Sequence, residues 1–358
     1  MKNFVFILVF LIGHINVFSQ KSIFKNHIKY LSTDSLEGRF VQSKGADLAV
    51  SYIANYFQKL GLEFLHSNSY EQIFSYTYKP NPHEVNIAKD SVVLTGKNIV
   101  GFLNNNAKNT IVVGAHYDHI GKNEHSNSSQ PNATGMIHNG ADDNASGVAM
   151  VMELANYFKN NEIIEKSNYI FICFSGEEDG IKGSNHFVEN FNFIQNPISA
   201  MINFDMIGRL DTNNTLQIGG AGTSPNFVDL IKNSNTNLQY KIDSSGIGPS
   251  DHTSFYLKNI PVLFYSTGSH SDYHKPTDDE EKINYVGLEK IFNHSKNLIE
   301  LISKMDTIPF VKTKRCNYPN SLTYKEKASH LRVASFLRPL FDVRCKILRC
   351  LGMKLLGN

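Results

Sequence analysis

The stretch TIVVGAHYDHIG, residues 110–121, joins an apolar run to a histidine and an acid two positions apart. A strand that is apolar at consecutive positions has both faces covered, which points to a parallel sheet between layers of helix. The pattern recurs along the chain. YIFICF (169–174) runs into SGEEDG (175–180), the strand 200–204 runs into Asp205, and the strand 262–265 precedes DYHKPTD (272–278). Further strands are expected over 98–103 and 216–219, and helices from Ser146 to Lys159, near 227–233 and from Val286 to Lys304. Residues 28–62 read as amphipathic helix, with Leu48, Ala49, Ile53, Phe57 and Leu60 at helical spacing and Gly61 as a stop. This alternation predicts an α/β fold: a mostly parallel central sheet with helices on both faces. In such sheets ligands gather at the carboxyl ends of the strands, and the acid- and histidine-bearing motifs fall there.

Composition sets limits. With 358 residues, 41% hydrophobic and 19% charged, the chain can bury a large core. A net charge of +2 gives no reason to expect a nucleic-acid partner. Residues 1–19 have the layout of a signal peptide: Lys2, an apolar run from Phe4 to Ile12, and a small residue, Ser19, at the cleavage point. A membrane anchor is the competing reading, but a run broken by Gly13, His14 and Asn16 is shorter than the roughly 20 residues a span needs. Export is expected, to the periplasm, the cell surface or the medium, with no membrane span after cleavage. The main domain is expected over 20–306, followed by a basic extension over 307–358. That extension carries Cys316, Cys345 and Cys350, and its segment 334–355 could form a basic amphipathic helix. Cys173 lies in an apolar strand, as a small core residue would.

The motifs carry metal-binding chemistry. His116 followed by Asp118 suits an imidazole ligand with a carboxylate to fix its orientation. In NGADDNASG (139–147) the acids also suit helix capping, but a carboxylate can offer one oxygen to each of two metals, and that bridge is placed on Asp143. In SGEEDG, Glu178 would bind metal and Glu177 would stay free as a base. Asp205 ends a strand in the same way, and His274 sits in a turn-like context before Lys275 and Pro276. The polar loop from His119 to His138 reads as a rim, with His119 a bystander.

On these residues the chain resembles the secreted dinuclear-zinc aminopeptidases, the family of bacterial leucyl aminopeptidase and aminopeptidase Y, with glutamate carboxypeptidase II as a distant member. The resemblance spans about residues 22–304 and includes LSTDSLEGRF (31–40). It implies two Zn2+ per chain, one on His116 and Asp205, the other on Glu178 and His274, with Asp143 bridging. It further implies Glu177 as general base, Asp118 orienting His116, a cis peptide at Asp143–Asn144, and peptide substrates with a free amino terminus. Only residues 206–273 separate Asp205 from His274, too few for the lid domain of related zinc carboxypeptidases. The single-zinc glutaminyl cyclases share the fold but not the full ligand set. One departure stands out: in GIGPSDHTSF (246–255), Ile247 occupies the neighbourhood of the family's oxyanion-stabilising tyrosine, leaving Tyr265 and Tyr273 as candidates. Two other readings stay open, a zinc amidohydrolase on N-acylated amino acids or small amides, and an exported binding protein without catalysis.

Overall fold

The computed structural model describes residues 24–65, 68–78, 91–234 and 237–313. The chain divides into two units, Met1–Lys314 and Arg315–Asn358. The expected signal peptide and almost all of the expected basic extension, with its three cysteines, lie outside the described residues.

An eight-stranded sheet has the order β1-β2-β4-β3-β5-β8-β6-β7. Its strands are β1 (Glu71–Tyr78), β2 (Val92–Leu103), β3 (Asn109–His116), β4 (Ser167–Phe174), β5 (Ile198–Phe204), β6 (Thr215–Gly219), β7 (Gln239–Ile242) and β8 (Val262–Ser266). The central strands β4, β3, β5 and β8 are mutually parallel, and antiparallel pairings begin where β2 and β6 flank them. Register aligns the strand ends: His116 pairs with Phe174, and Phe204 pairs with Tyr265.

The uniform apolarity of the central strands follows from burial on both faces. Ile111, Val113 and Ala115 enter one core with Phe171, Ile202 and Leu263. Val112 enters the other with Ile170, Ile172, Met201 and Val262. The first face is covered by α2 (Lys44–Leu60), α3 (Gly147–Asn160) and α7 (Tyr285–Ser303). The second is covered by α4 (Lys182–Asn190) and the short α6 (His252–Tyr256), through Phe187, Val188, Phe255 and Tyr256. One further helix, α5 (Phe227–Asn233), packs near α7.

The amino-terminal helix expected over 28–62 is two helices. Residues 24–31 form α1, and the chain turns through Asp34–Arg39 before α2. Ser32, Thr33 and Asp34 favour turns over helix interiors, and Glu37, Gly38 and Arg39 all take positive φ. A Cβ on Gly38 would lie 2.4 Å from the carbonyl of His138, so glycine is what lets this turn press against the later loop. Ser43 caps α2 by accepting the Ala46 N–H at 3.1 Å, and Gly61, left-handed at φ 69, ends it. Past residue 306 the first unit continues: Ile308 is buried and the Val311 N–H donates to Thr223 O.

Candidate metal centre

Three strand ends and two loops converge. His116 is the last residue of β3, Glu177 and Glu178 follow β4, Asp205 follows β5, and His274 lies in the loop after β8. Asp143 comes from the wide turn Ala141–Ser146 that leads into α3.

The two imidazoles are held alike. His116 Nδ1 donates to the Asp118 carbonyl at 3.1 Å, and His274 Nδ1 donates to the Asn127 carbonyl at 3.0 Å. A carbonyl can only accept, so each Nδ1 carries the proton and each Nε2 is left to face the acids. His116 Nε2 lies 3.4 Å from Asp143 Oδ1 and 3.5 Å from Asp205 Oδ1. His274 Nε2 lies 3.3 Å from Asp143 Oδ2 and 3.1 Å from Glu178 Oε2. Two groups able to hold a metal result: His116, Asp143 and Asp205; and His119, Asp143, Glu178 and His274, with donor atoms within 4.8 Å of one another in each. Asp143 is common to both, and it gives one oxygen to each.

The turn bearing Asp143 is fixed by its backbone. Asp278 Oδ2 accepts the N–H groups of Asp142 and Asp143 at 2.9 and 3.0 Å. Asn144 donates to Phe204 O and accepts from Gly147 N, and a Cβ on Gly147 would lie 2.4 Å from Asn144 Oδ1. The Asp143–Asn144 peptide is cis. Asp142 accepts the Gly208 N–H at 2.6 Å and meets His270 Nε2 at 3.0 Å. The His274 loop is tied down separately: Asp272 accepts from Arg209, Thr277 and Lys282. Ser128 and Ser129, on the loop expected as a rim, donate to the His274 carbonyl.

Asp118 was expected to orient His116, and it meets that ring mainly through its backbone. Its backbone carbonyl takes the His116 proton, while its carboxylate stands 4.0 Å from that ring. The carboxylate oxygens instead accept the backbone N–H groups of Glu177 at 3.2 Å and Glu178 at 3.4 Å, fixing the two glutamates. Burial pushes the Asp118 carboxyl up to about 7.

Electrostatics separate the adjacent glutamates. Burial raises Glu177 well above the usual carboxylate range, and Asp205, Glu178 and Asp251 add to it against the opposing pull of His116. Burial acts on Glu178 too, but His274 and His119 outweigh it and hold this carboxyl well below that range. Burial disfavours charge on His116 and His274, yet the facing acids overcome it and raise both imidazoles.

Of the candidate oxyanion donors, Tyr265 is removed. Along β8 it shares the core of Leu263, away from the acids, and its hydroxyl bonds His294 Nδ1 at 3.1 Å. Tyr273 stays: it lines the cavity over the acids and stacks on His274 with ring centroids 4.0 Å apart. The residue is 39% exposed, yet desolvation at the cavity, then Asp143 and Glu178, raise its hydroxyl above the usual range and keep it protonated. The cavity, about 270 Å³, is walled by Met206, Phe264, Pro249 and Gln217 beside the acids and imidazoles.

Two residues at the centre were not expected from the sequence. His119 lies buried with Nδ1 2.7 Å from Glu178 Oε1. Arg39, fully buried, donates to the carbonyls of Leu31, Tyr117, Asn139 and Gly140, tying the β3 end to the Asp143 turn. Burial lowers Arg39 only to about 10, so it stays charged among the acids.

Comparison with known proteins sets this geometry in context. Residues 98–299 match the model of Peptidase family M28. A protein described as a probable leucine aminopeptidase, from Arthroderma otae, is 23% identical over 222 residues, covering 59% of this chain and 58% of that one. The chain thus spans little over half the length of such relatives. The solved aminopeptidase of Aneurinibacillus sp. strain AM-1 superposes with a TM-score of 0.62 at 17% identity, covering 84% of this chain and 98% of that one. A Bacteroides thetaiotaomicron glutaminyl cyclase also reaches 0.62 at 17% identity, covering 78% and 97%. At these identities the solved structures establish the shared fold, and the chemistry has to be read from the residues.

Proposed function

The chain belongs to peptidase family M28, and from that premise we propose that it is a metal-dependent aminopeptidase with a two-zinc centre. The observation that carries this reading is the division of Asp143: Oδ1 faces His116 and Oδ2 faces His274, each within 3.4 Å. The donors fit zinc, which takes imidazole nitrogen and carboxylate oxygen. His116 and Asp205 would hold one ion, Glu178 and His274 the other, and Asp143 would serve both. Two zinc ions so placed would polarise the scissile carbonyl and make a water more acidic.

The remaining steps belong to the chain. Glu177, whose basicity is raised by burial and by Asp205, takes the proton of the attacking water and returns it to the departing amine. Proton transfer of this kind contributes about 10²–10⁴-fold. Asp118 aims Glu177 and Glu178 through their backbone N–H groups. Tyr273, protonated and stacked on His274, would donate to the developing oxyanion. The substrate is a peptide with a free amino terminus, whose ammonium group suits the surplus of carboxylates. Its first side chain would enter the apolar part of the cavity against Met206 and Phe264. The residues 1–19 have the composition of an export signal, and no helix among the described residues is long and apolar enough to cross a membrane.

The test is metal content and hydrolysis of Leu-p-nitroanilide by the purified protein, before and after chelation and with zinc restored. Near two zinc per chain, with release of nitroaniline that chelation stops and zinc restores, is the expected result. Two zinc without aminopeptidase activity would keep the centre and refute the substrate. Failure to take up zinc would refute the centre.

A further inference from the structure

We propose that His119 is a positioning residue for one half of the centre: its Nδ1–H anchors Glu178 Oε1, so that Glu178 Oε2 is presented to the ion shared with His274. The inference rests on the two-zinc reading and assigns a role within it.

Three imidazoles approach the acids, and they are wired in two ways. His116 and His274 give Nδ1–H to backbone carbonyls and turn Nε2 toward carboxylates. His119 is reversed: its Nδ1 lies 2.7 Å from Glu178 Oε1 and 3.9 Å from Asp143 Oδ2. An ionised carboxylate only accepts, so the imidazole donates. The other Glu178 oxygen, Oε2, is the one 3.1 Å from His274 Nε2. One oxygen is anchored and the other is offered.

The His119 ring is held for this purpose. The residue is 1% exposed, its backbone N–H reaches Arg39 O, and its ring meets that of His274 edge-on, centroids 5.5 Å apart at 79°. A Cβ on Gly140 would lie 2.6 Å from its Cδ2, so the imidazole occupies space that only glycine leaves open. Its Nε2 has no hydrogen-bond partner among the described residues. Burying an imidazole with an unpaired nitrogen is costly, and packing alone would favour an apolar side chain there.

Hydrogen-bond partners of metal-binding side chains typically contribute about 10–100-fold to affinity. Zinc is titrated into the chelator-stripped protein against a chromophoric chelator, for the wild type, His119→Ala and His119→Asn. His119→Ala should bind one zinc equivalent about 10–100-fold more weakly and the other as in wild type. His119→Asn, whose amide N–H lies where the imidazole Nδ1–H was, should recover most of the loss. Unchanged affinity in His119→Ala overturns the proposal. So does equal weakening of both equivalents. Loss in both variants also overturns it, since that would make the imidazole itself a ligand. Should the alanine variant not fold, His119→Asn decides: near-normal affinity at both equivalents is expected, and a lost equivalent refutes the role. A wild-type protein that takes up fewer than two zinc overturns the two-zinc reading itself, and this proposal with it.

Discussion

Glu177 and Glu178 are neighbours in sequence and opposites in chemistry. Glu178 meets His119 and His274 and stays ionised, while Glu177 meets more acids than bases and holds its proton more tightly. Environments that push two such groups apart are how acid–base roles are divided. Glu177→Gln keeps the size of the side chain and removes the basic oxygen, so kcat should fall by about 10²–10⁴ or more with zinc content unchanged. Near-normal kcat would remove the base assignment. A second residue-scale effect concerns His252, which stacks on Phe264 with centroids 4.5 Å apart and is lowered by burial to about 3. Between that value and the ordinary 6.5, the unfolded chain binds a proton that the folded chain refuses. Stability is therefore fully present above pH 6.5 and declines as pH falls through that window. At pH 5 the span is 1.5 units, or about 2 kcal/mol at ~1.36 kcal/mol per unit. Denaturation of His252→Gln at pH 7 and pH 5 should show a loss smaller than the wild type's by about that amount, and equal losses would refute it. His116, Glu177, Glu178 and Asp205 stood out in the sequence because each ends or closely follows an apolar strand, where side-chain placement is regular, whereas Asp143 and His274 lie on loops. His119 was missed because β3 ends at His116, and alternation no longer predicts direction three residues on. Tyr265 was misplaced although alternation does hold within β8, where it follows Leu263 into the core.

At the level of elements, the central strands announced themselves by being apolar on both faces, and the expected bounds of β4 and β5 fall within two residues of those observed. The helices α4 and α6 escaped notice because they are short, and Lys182–Asn190 carries few apolar residues to mark a period. The loop DYHKPTD was read only for His274, yet Asp278 at its end accepts the N–H groups of Asp142 and Asp143. Nothing in the sequence ties position 278 to 142–143; the link exists only because the β8 loop folds back over the turn before α3. Asp278→Ala would leave two buried N–H groups unpaired, at about 1–3 kcal/mol each, and would free the Asp143 turn to shift. We expect a lower urea midpoint with an unchanged slope, together with weaker zinc binding. Asp278→Asn, which retains an acceptor oxygen, should be milder. Equal behaviour of the alanine variant and the wild type would show that the turn holds itself.

At the scale of the whole molecule, the balance of charge conceals the centre. A net charge of +2 over 358 residues gives no sign of it, yet Asp143, Glu177, Glu178 and Asp205 line one cavity and Asp118, Asp142, Asp251 and Asp278 are buried close to them. Arg39 and the imidazoles offset only part of that charge, and the rest raises Glu177 and Asp205 and pushes Asp251 up to about 7, with burial the largest cause in each. These acids are scattered from position 118 to 278, so only the folded chain assembles them. An ion bound by the folded state alone must stabilise it, by about 2.7 kcal/mol at a hundred times Kd and ~1.4 kcal/mol for each further tenfold. Scanning calorimetry of the stripped protein should therefore show a Tm that climbs with zinc concentration without levelling off, while sodium at equal ionic strength gives no comparable rise. A Tm indifferent to zinc would mean that the acids tolerate one another by protonation alone, and the two-zinc centre would have to be abandoned.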